Sequence, residues 1–331
     1  MGRRARKILN DRSGVGRGTR LRATQRRRAE QVLVVLAALL LASAASGPAF
    51  AAGSCRLEPG PERTVTAVID GETLALDDGS EVRLIGIVAP RAIDVGAAAG
   101  QWPLELAART ALAEMASGKA VRLAFVGPRR DRYERQLAHV FVLAPSAEPV
   151  WLQGALLTQG FARAGVLPRQ RECIAELLAH ERLASDAKAG LWAEPAYARL
   201  QAAQARSLLQ RAGTFQIVEG LVTRVGEGRS IFYLNFGRDR RRDFSIDLGR
   251  RDRELLGLVG GDPKTLAGRQ VRVRGWIDER RGAPLIDLSA GGLIELVEDA
   301  SVAVPAAASQ ATPPEPAETA TPGLLIEAGR R

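Results

Sequence analysis

The chain runs to 331 residues with 46% apolar and 25% charged side chains, the balance of a folded protein with room for two domains and not of a disordered or fibrous one. Its formal charge of +10 sits at one end: residues 1–31 hold eleven basic side chains against two acidic ones, residues 32–51 hold no charge, and the remainder is close to neutral. Bulk basicity is therefore excluded as evidence that the folded part binds nucleic acid.

The basic stretch leads into VLVVLAALLLASAA at 32–45, an apolar run of fourteen residues. A membrane span needs ~20, so the run is short for one. Ala49-Phe50-Ala51 then offers small residues at both cleavage positions. Residues 1–51 are expected to be a signal peptide cleaved after Ala51, with an uncleaved N-terminal anchor as the alternative. Either places the protein outside the cytoplasm, periplasmic or secreted, and only the anchor would touch a membrane. Two cysteines follow, Cys55 and Cys173, 118 positions apart. Export permits a disulfide between them, whose loop closure is worth ~4–5 kcal/mol. The alternative is two separate buried thiols.

From residue 64 the pattern alternates. Residues 64–69 and 73–76 read as a hairpin around Asp70-Gly71, and EVRLIGIV (81–88) as a third strand ending before Pro90. LELAARTALAEMASG (104–118) has helical spacing and a glycine stop. Strands are expected over 120–126 and 136–143, helices over 151–163 and 171–190, and a third helical pattern over roughly 197–211. Residues 214–297 form a second β-rich stretch of five strands, with one short helix before the fourth, as in an OB-like barrel. The fold class is thus mainly β with α, or α+β. The expected domains are residues 55–196, a helical linker over 197–212, a barrel over 213–298 and a disordered tail over 299–331, which is rich in Ala, Pro, Thr and Glu.

Five pieces of the first domain, DGET, VRLIGIVAP, DRYER, ALLTQGFARA and AGLW, stand in an order that resembles the thermonuclease, or staphylococcal-nuclease-like, family. DGET (70–73) resembles its DGDT, and VRLIGIVAP (82–90) its RL-x-GI-D-AP. DRYER (131–135) resembles D-x-YGR, while ALLTQGFARA (155–164) and AGLW (189–192) resemble its closing helices. The resemblance implies an OB-like barrel with three helices that binds Ca²⁺ and cleaves nucleic-acid phosphodiesters. Two carboxylates hold the metal, a glutamate after AP acts as general base, and two arginines hold the phosphate. Carried over, the first metal ligand falls on Glu72 and the phosphate arginines on Arg83 and Arg135, with Asp70, Asp131 and Tyr133 in support. The second metal ligand falls on Val88 and the base on Arg91, so a hydrocarbon and a cation stand where two acids belong. Calcium wants 6–8 oxygens, several of them anionic, and loss of a positioned base alone costs ~10²–10⁴ in rate. Asp94 is a possible substitute ligand. Glu134, in the place of the family's glycine, is expected to compete for Arg135.

Two classes of function follow. In one, the protein binds nucleic acid or another phosphate ligand, or a protein of the envelope, with hydrolysis weak or lost and no cofactor. In the other, it is a Ca²⁺-dependent endonuclease with a rearranged site. In the second barrel, strand alternation puts Arg272, Arg274 and Trp276 on one face. That face could track a polyanion, or could face protein. His139 is read as a hydrogen-bonded strand residue and His180 as an exposed one. Neither cysteine sits beside a base, so protease-like catalysis has no support.

Overall fold

The computed structural model describes residues 55–165, 167–258 and 260–297. The expected leader and the expected tail lie outside the described residues. The described chain is mainly β with a few helices.

The first sheet is built from β1 (Glu58–Asp70), β2 (Thr73–Leu76), β3 (Glu81–Leu84), β5 (Ala120–Phe125), β6 (Gln136–Ala144) and β7 (Ala147–Trp151), in the order β3-β2-β1-β5-β6-β7. Strand β3 also pairs in parallel with β6, placing Arg83 opposite Leu137, and this closes the ring. Alternation points Val65, Leu74, Leu76, Val82, Leu84, Val121, Leu123 and Val140 inward to one core. Helices α1 (Pro103–Ala116), α2 (Leu152–Thr158) and α3 (Ile174–Ala187) close it. The stretch expected as one strand over 81–88 is two: the chain bends at Gly86, whose φ is 83°, and continues as β4 (Ile87–Val88). The helix expected to reach residue 163 stops at Thr158, because Gly160 takes φ 73° and Arg163–Ala164 forms β8 against β4. Cys55 and Cys173 are joined in a disulfide.

The second sheet starts with β9 (Leu200–Gln201), which pairs in parallel with β10 (Phe215–Leu221). This corrects the helical linker: only α4 (Ala205–Leu209) is α-helical between Tyr197 and Phe215. Strands β10 and β11 (Arg224–Glu227) are separated by Val222 and Thr223 alone. They are joined through β12 (Ile231–Asn235), β13 (Ser245–Gly249), β15 (Ala283–Asp287) and β14 (Gln270–Arg280) into a second ring, with β16 (Gly292–Leu296) added against β14. Helix α5 (Arg253–Leu258) precedes β14.

The two barrels share packing. Ile174 and Leu178 of α3 lie against both cores. Arg274 of β14 is 2% exposed and reaches into the first barrel, donating to the Ala164 carbonyl at 3.0 Å and to Glu181 at 2.7 Å. Arg171 pairs with Asp252 at 3.1 Å.

Candidate functional site

Glu72 sits at the tip of the β1–β2 hairpin for two local reasons. The Asp70 carboxylate accepts the Glu72 N–H at 2.8 Å and fixes the turn. Gly71 then lets the turn approach Ala89, whose Cβ would lie 2.8 Å from any side chain added there. The Glu72 carboxylate is thereby aimed at Arg83 and both of its oxygens are occupied. Oε1 lies 3.0 Å from the Arg83 Nη2, and Oε2 accepts the Ala89 N–H at 3.0 Å. Burial pushes the Glu72 carboxyl above its ordinary range, against the opposing pull of Arg83 and of that N–H.

Val88 is buried, and the cleft beside it is lined in part by Phe215 and Trp276 of the second barrel. A Cβ on Gly165 would meet Val88 at 2.7 Å and the Phe215 ring at 3.0 Å, so the three residues crowd together. Arg83, Val88, Gly165, Phe215 and Trp276 line a cleft of only about 10 Å³, at the lower limit for a single water. Arg91 turns toward the same barrel, its guanidinium centred 4.6 Å over the Trp276 ring. A hydrocarbon and a cation are what this contact needs: Val88 packs apolar surface, and Arg91 meets an aromatic face.

Asp94 does not replace the missing ligand. Its carboxylate accepts from the Arg91 N–H at 3.1 Å and from the Tyr197 hydroxyl at 3.3 Å, and lies 3.8 Å from Arg163. Burial and the Asp94 charge push the Tyr197 phenol up to about 12. Arg163 is buried between the Tyr197 and Phe215 rings, at 4.8 and 5.1 Å. Burial holds its pKa below the usual value although Asp94 pulls it up. Asp94, Arg163 and Tyr197 thus form a set of their own at the barrel junction. The donors do not fit calcium: among the described residues, no three His, Cys, Asp or Glu side chains converge, and Glu72 is committed to Arg83.

Arg135 and its surroundings are intact. Asp131 accepts from the Arg135 Nε at 2.9 Å and from the N–H groups of Tyr133 and Arg135 at 2.9 and 3.1 Å. Burial works against the Asp131 carboxylate, yet these donors outweigh it and hold its carboxyl below the usual range. Glu134 does not compete for Arg135 as expected. Its φ of 64° turns the side chain away, toward Arg130 at 3.3 Å. Tyr133 is 63% exposed, with the Arg132 and Arg135 guanidiniums 4.8 and 5.4 Å from its ring centre.

The expected polyanion face of the second barrel is turned against the first. Arg274 is buried on Glu181 and Glu295, Arg272 pairs with Glu219 at 2.7 Å, and Trp276 packs edge-on to Phe215. Alternation assigned these three to one side of β14 but carried no sign of what covers it. His139 is buried and its Nδ1 accepts the Trp151 indole N–H at 3.3 Å. His180, expected exposed, is half-buried, 2.9 Å from the Thr158 hydroxyl. Phe215, Arg163, Tyr197 and Glu181 escaped sequence reasoning, since each reads as an ordinary core or helix-face residue until the barrels are docked.

A search of curated proteins finds no match to the chain. A family model described as Staphylococcal nuclease homologue matches residues 81–194, the stretch that carries Arg83, Val88, Arg91 and Arg135. The chain therefore contains a thermonuclease-like domain.

Proposed function

We propose that the protein is a non-hydrolytic member of its class, an extracytoplasmic protein that binds single-stranded nucleic acid through the first barrel. The observation that carries this is the use made of the two altered positions. Of the two positions where the family resemblance implies a metal ligand and a base, Val88 lines one narrow cleft with Phe215 and Trp276 of the second barrel, and Arg91 lies over the Trp276 ring. Metal-assisted attack on phosphorus needs a bound ion and a positioned water, and the pairing of Glu72 with Arg83, beside a hydrocarbon and a cation at the two altered positions, argues against both. The recognition half is kept. Tyr133 offers an exposed ring flanked by Arg132 and Arg135, which suits base stacking beside a phosphate. The Cys55–Cys173 bridge fits an oxidising compartment. Among the described residues, no helix is long and apolar enough to cross a membrane.

The test incubates the full chain with labelled single-stranded DNA and RNA oligomers and with duplex, in Ca²⁺, Mg²⁺, Mn²⁺ or EDTA. No cleavage is expected with any of them. Salt-sensitive binding of the single strands is expected, weakened about 10-fold in Tyr133→Ala, because one stacked base is worth ~1–3 kcal/mol. Metal-dependent cleavage abolished by Glu72→Ala would overturn the proposal.

A further inference from the structure

A cavity lies on the second barrel, away from every residue discussed above. It encloses about 310 Å³, and Tyr233 of β12, Asp247 of β13, Arg240 and Arg241 of the β12–β13 loop, and Arg280 and Arg281 of the β14–β15 hairpin line it. That volume is at the lower end of small-ligand sites, the size of one nucleotide-like molecule.

Three features mark it as a built site. First, the charge is one-sided: four guanidiniums face one carboxylate. Only Arg280 is ion-paired, to the Asp247 Oδ2, and among the described residues no acid pairs with Arg240, Arg241 or Arg281. Most arginines on the first barrel's β1 and β5–β6 region carry a partner instead, as in Arg63–Asp78, Arg122–Glu62 and Arg129–Glu58. Second, the floor holds an incomplete polar group. Asp247 is fully buried and its Oδ1 has no hydrogen-bond partner. Burial also raises its carboxyl against the pull of Arg280. A buried acceptor left without a donor costs ~1–3 kcal/mol, so the site is short of a donor group. Third, the rim is strained. Arg280 pairs with Ala283, leaving Arg281 and Gly282 as a two-residue turn with φ of 55° and 83°. Asn or Asp is the usual first residue of such a turn, yet an arginine stands there and is aimed at the cavity.

The chemistry of the occupant follows from these parts. The arginines call for phosphate, which guanidinium meets bidentately. The free Oδ1 calls for a hydroxyl or amino donor. Tyr233, with the Arg240 guanidinium centred 5.4 Å over its ring, calls for a flat π system that can stack. We propose that this cavity binds one nucleotide unit, its phosphate on Arg241 and Arg281, its base against Tyr233 and Arg240, and a ribose hydroxyl or base amine on Asp247. A free nucleotide and a nucleotide within a strand share this chemistry. The proposal does not rest on the reading of the first barrel.

The test is calorimetric titration of the full chain with adenosine monophosphate, a 5′-phosphorylated thymidine octamer and pyrophosphate. It is run on the Tyr133→Ala/Arg135→Ala background, so that the first barrel's contribution to the octamer arm is weakened. Arg241→Ala/Arg281→Ala should weaken binding at least 10-fold and lower the salt slope of octamer binding by about 0.7, the value for one phosphate contact on a single strand. Both side chains are exposed, so the unfolding midpoint should not move. Binding of the monophosphate alone would support the site and assign it a free nucleotide; binding of the octamer alone would support it and assign a strand. No binding of either, binding unmoved by the double variant, or pyrophosphate bound as tightly as the monophosphate would overturn the proposal.

Discussion

Replacing Arg274 by alanine tests whether the two barrels form one cooperative body. The guanidinium is 2% exposed and makes three charge-assisted contacts: Glu181 at 2.7 Å, Glu295 at 3.0 Å and the Ala164 carbonyl at 3.0 Å. Burial works to lower its pKa, but the two carboxylates outweigh burial and hold it above the ordinary value. Truncation leaves Glu181, itself buried, with only the Ala164 N–H at 2.7 Å. Stranding one partner of a buried pair costs about 3–5 kcal/mol. At about 2–4 °C per kcal/mol for a unit of this size, the melting midpoint should fall by roughly 6–20 °C. Arg272 stands two residues away, but its Glu219 pair is part-exposed, so Arg272→Ala should cost less than about 1 kcal/mol. Differential scanning calorimetry of both variants decides the matter. Adding Glu181→Leu to Arg274→Met should recover most of the loss, because both charges then leave together. A loss under 1 kcal/mol in Arg274→Ala, or two separate transitions in the parent, would refute the reasoning.

Three further outcomes are expected. Burial depresses the His139 pKa from 6.5 to about 4, so the folded ring stays neutral while the unfolded chain takes up a proton. Its stabilisation is complete above pH 6.5 and is lost as pH falls toward 4. That is a change of about 3 kcal/mol, which urea titrations at pH 4 and 7 should show shrinking in His139→Gln. Val88→Asp buries a carboxylate against Phe215; it should cost about 3 kcal/mol by chemical denaturation and leave nuclease activity at background. Glu134→Gly relieves a left-handed backbone at φ 64° and should stabilise by about 0.5 kcal/mol, read as a small upward shift in midpoint.

The first ring was legible because its strands alternate cleanly and its turn residues are of the expected kinds, with Asp70-Gly71 at the first hairpin. Helix ends were less so. Gly160 stops α2 through its positive φ, and a glycine in a helical pattern does not announce that by itself. The two-residue strands β8 and β9 have no period to detect. In the candidate site, Glu72, Arg83 and Arg135 were recoverable from the motifs that hold them. The meaning of Val88 and Arg91 was not, since their partners Phe215 and Trp276 lie far along the chain. Asp94 looked like a spare ligand because sequence distance cannot show that Arg163 and Tyr197 claim it.

The disulfide has a topological consequence. Cys55 precedes β1 and Cys173 immediately precedes α3, so the covalent ring encloses the barrel strands of the first domain. A protease that cuts the exposed stretch at 98–101 would leave both pieces on one molecule. Such a nick would pass unseen until a reductant released the halves, and in an oxidising compartment the severed barrel would keep its two ends together.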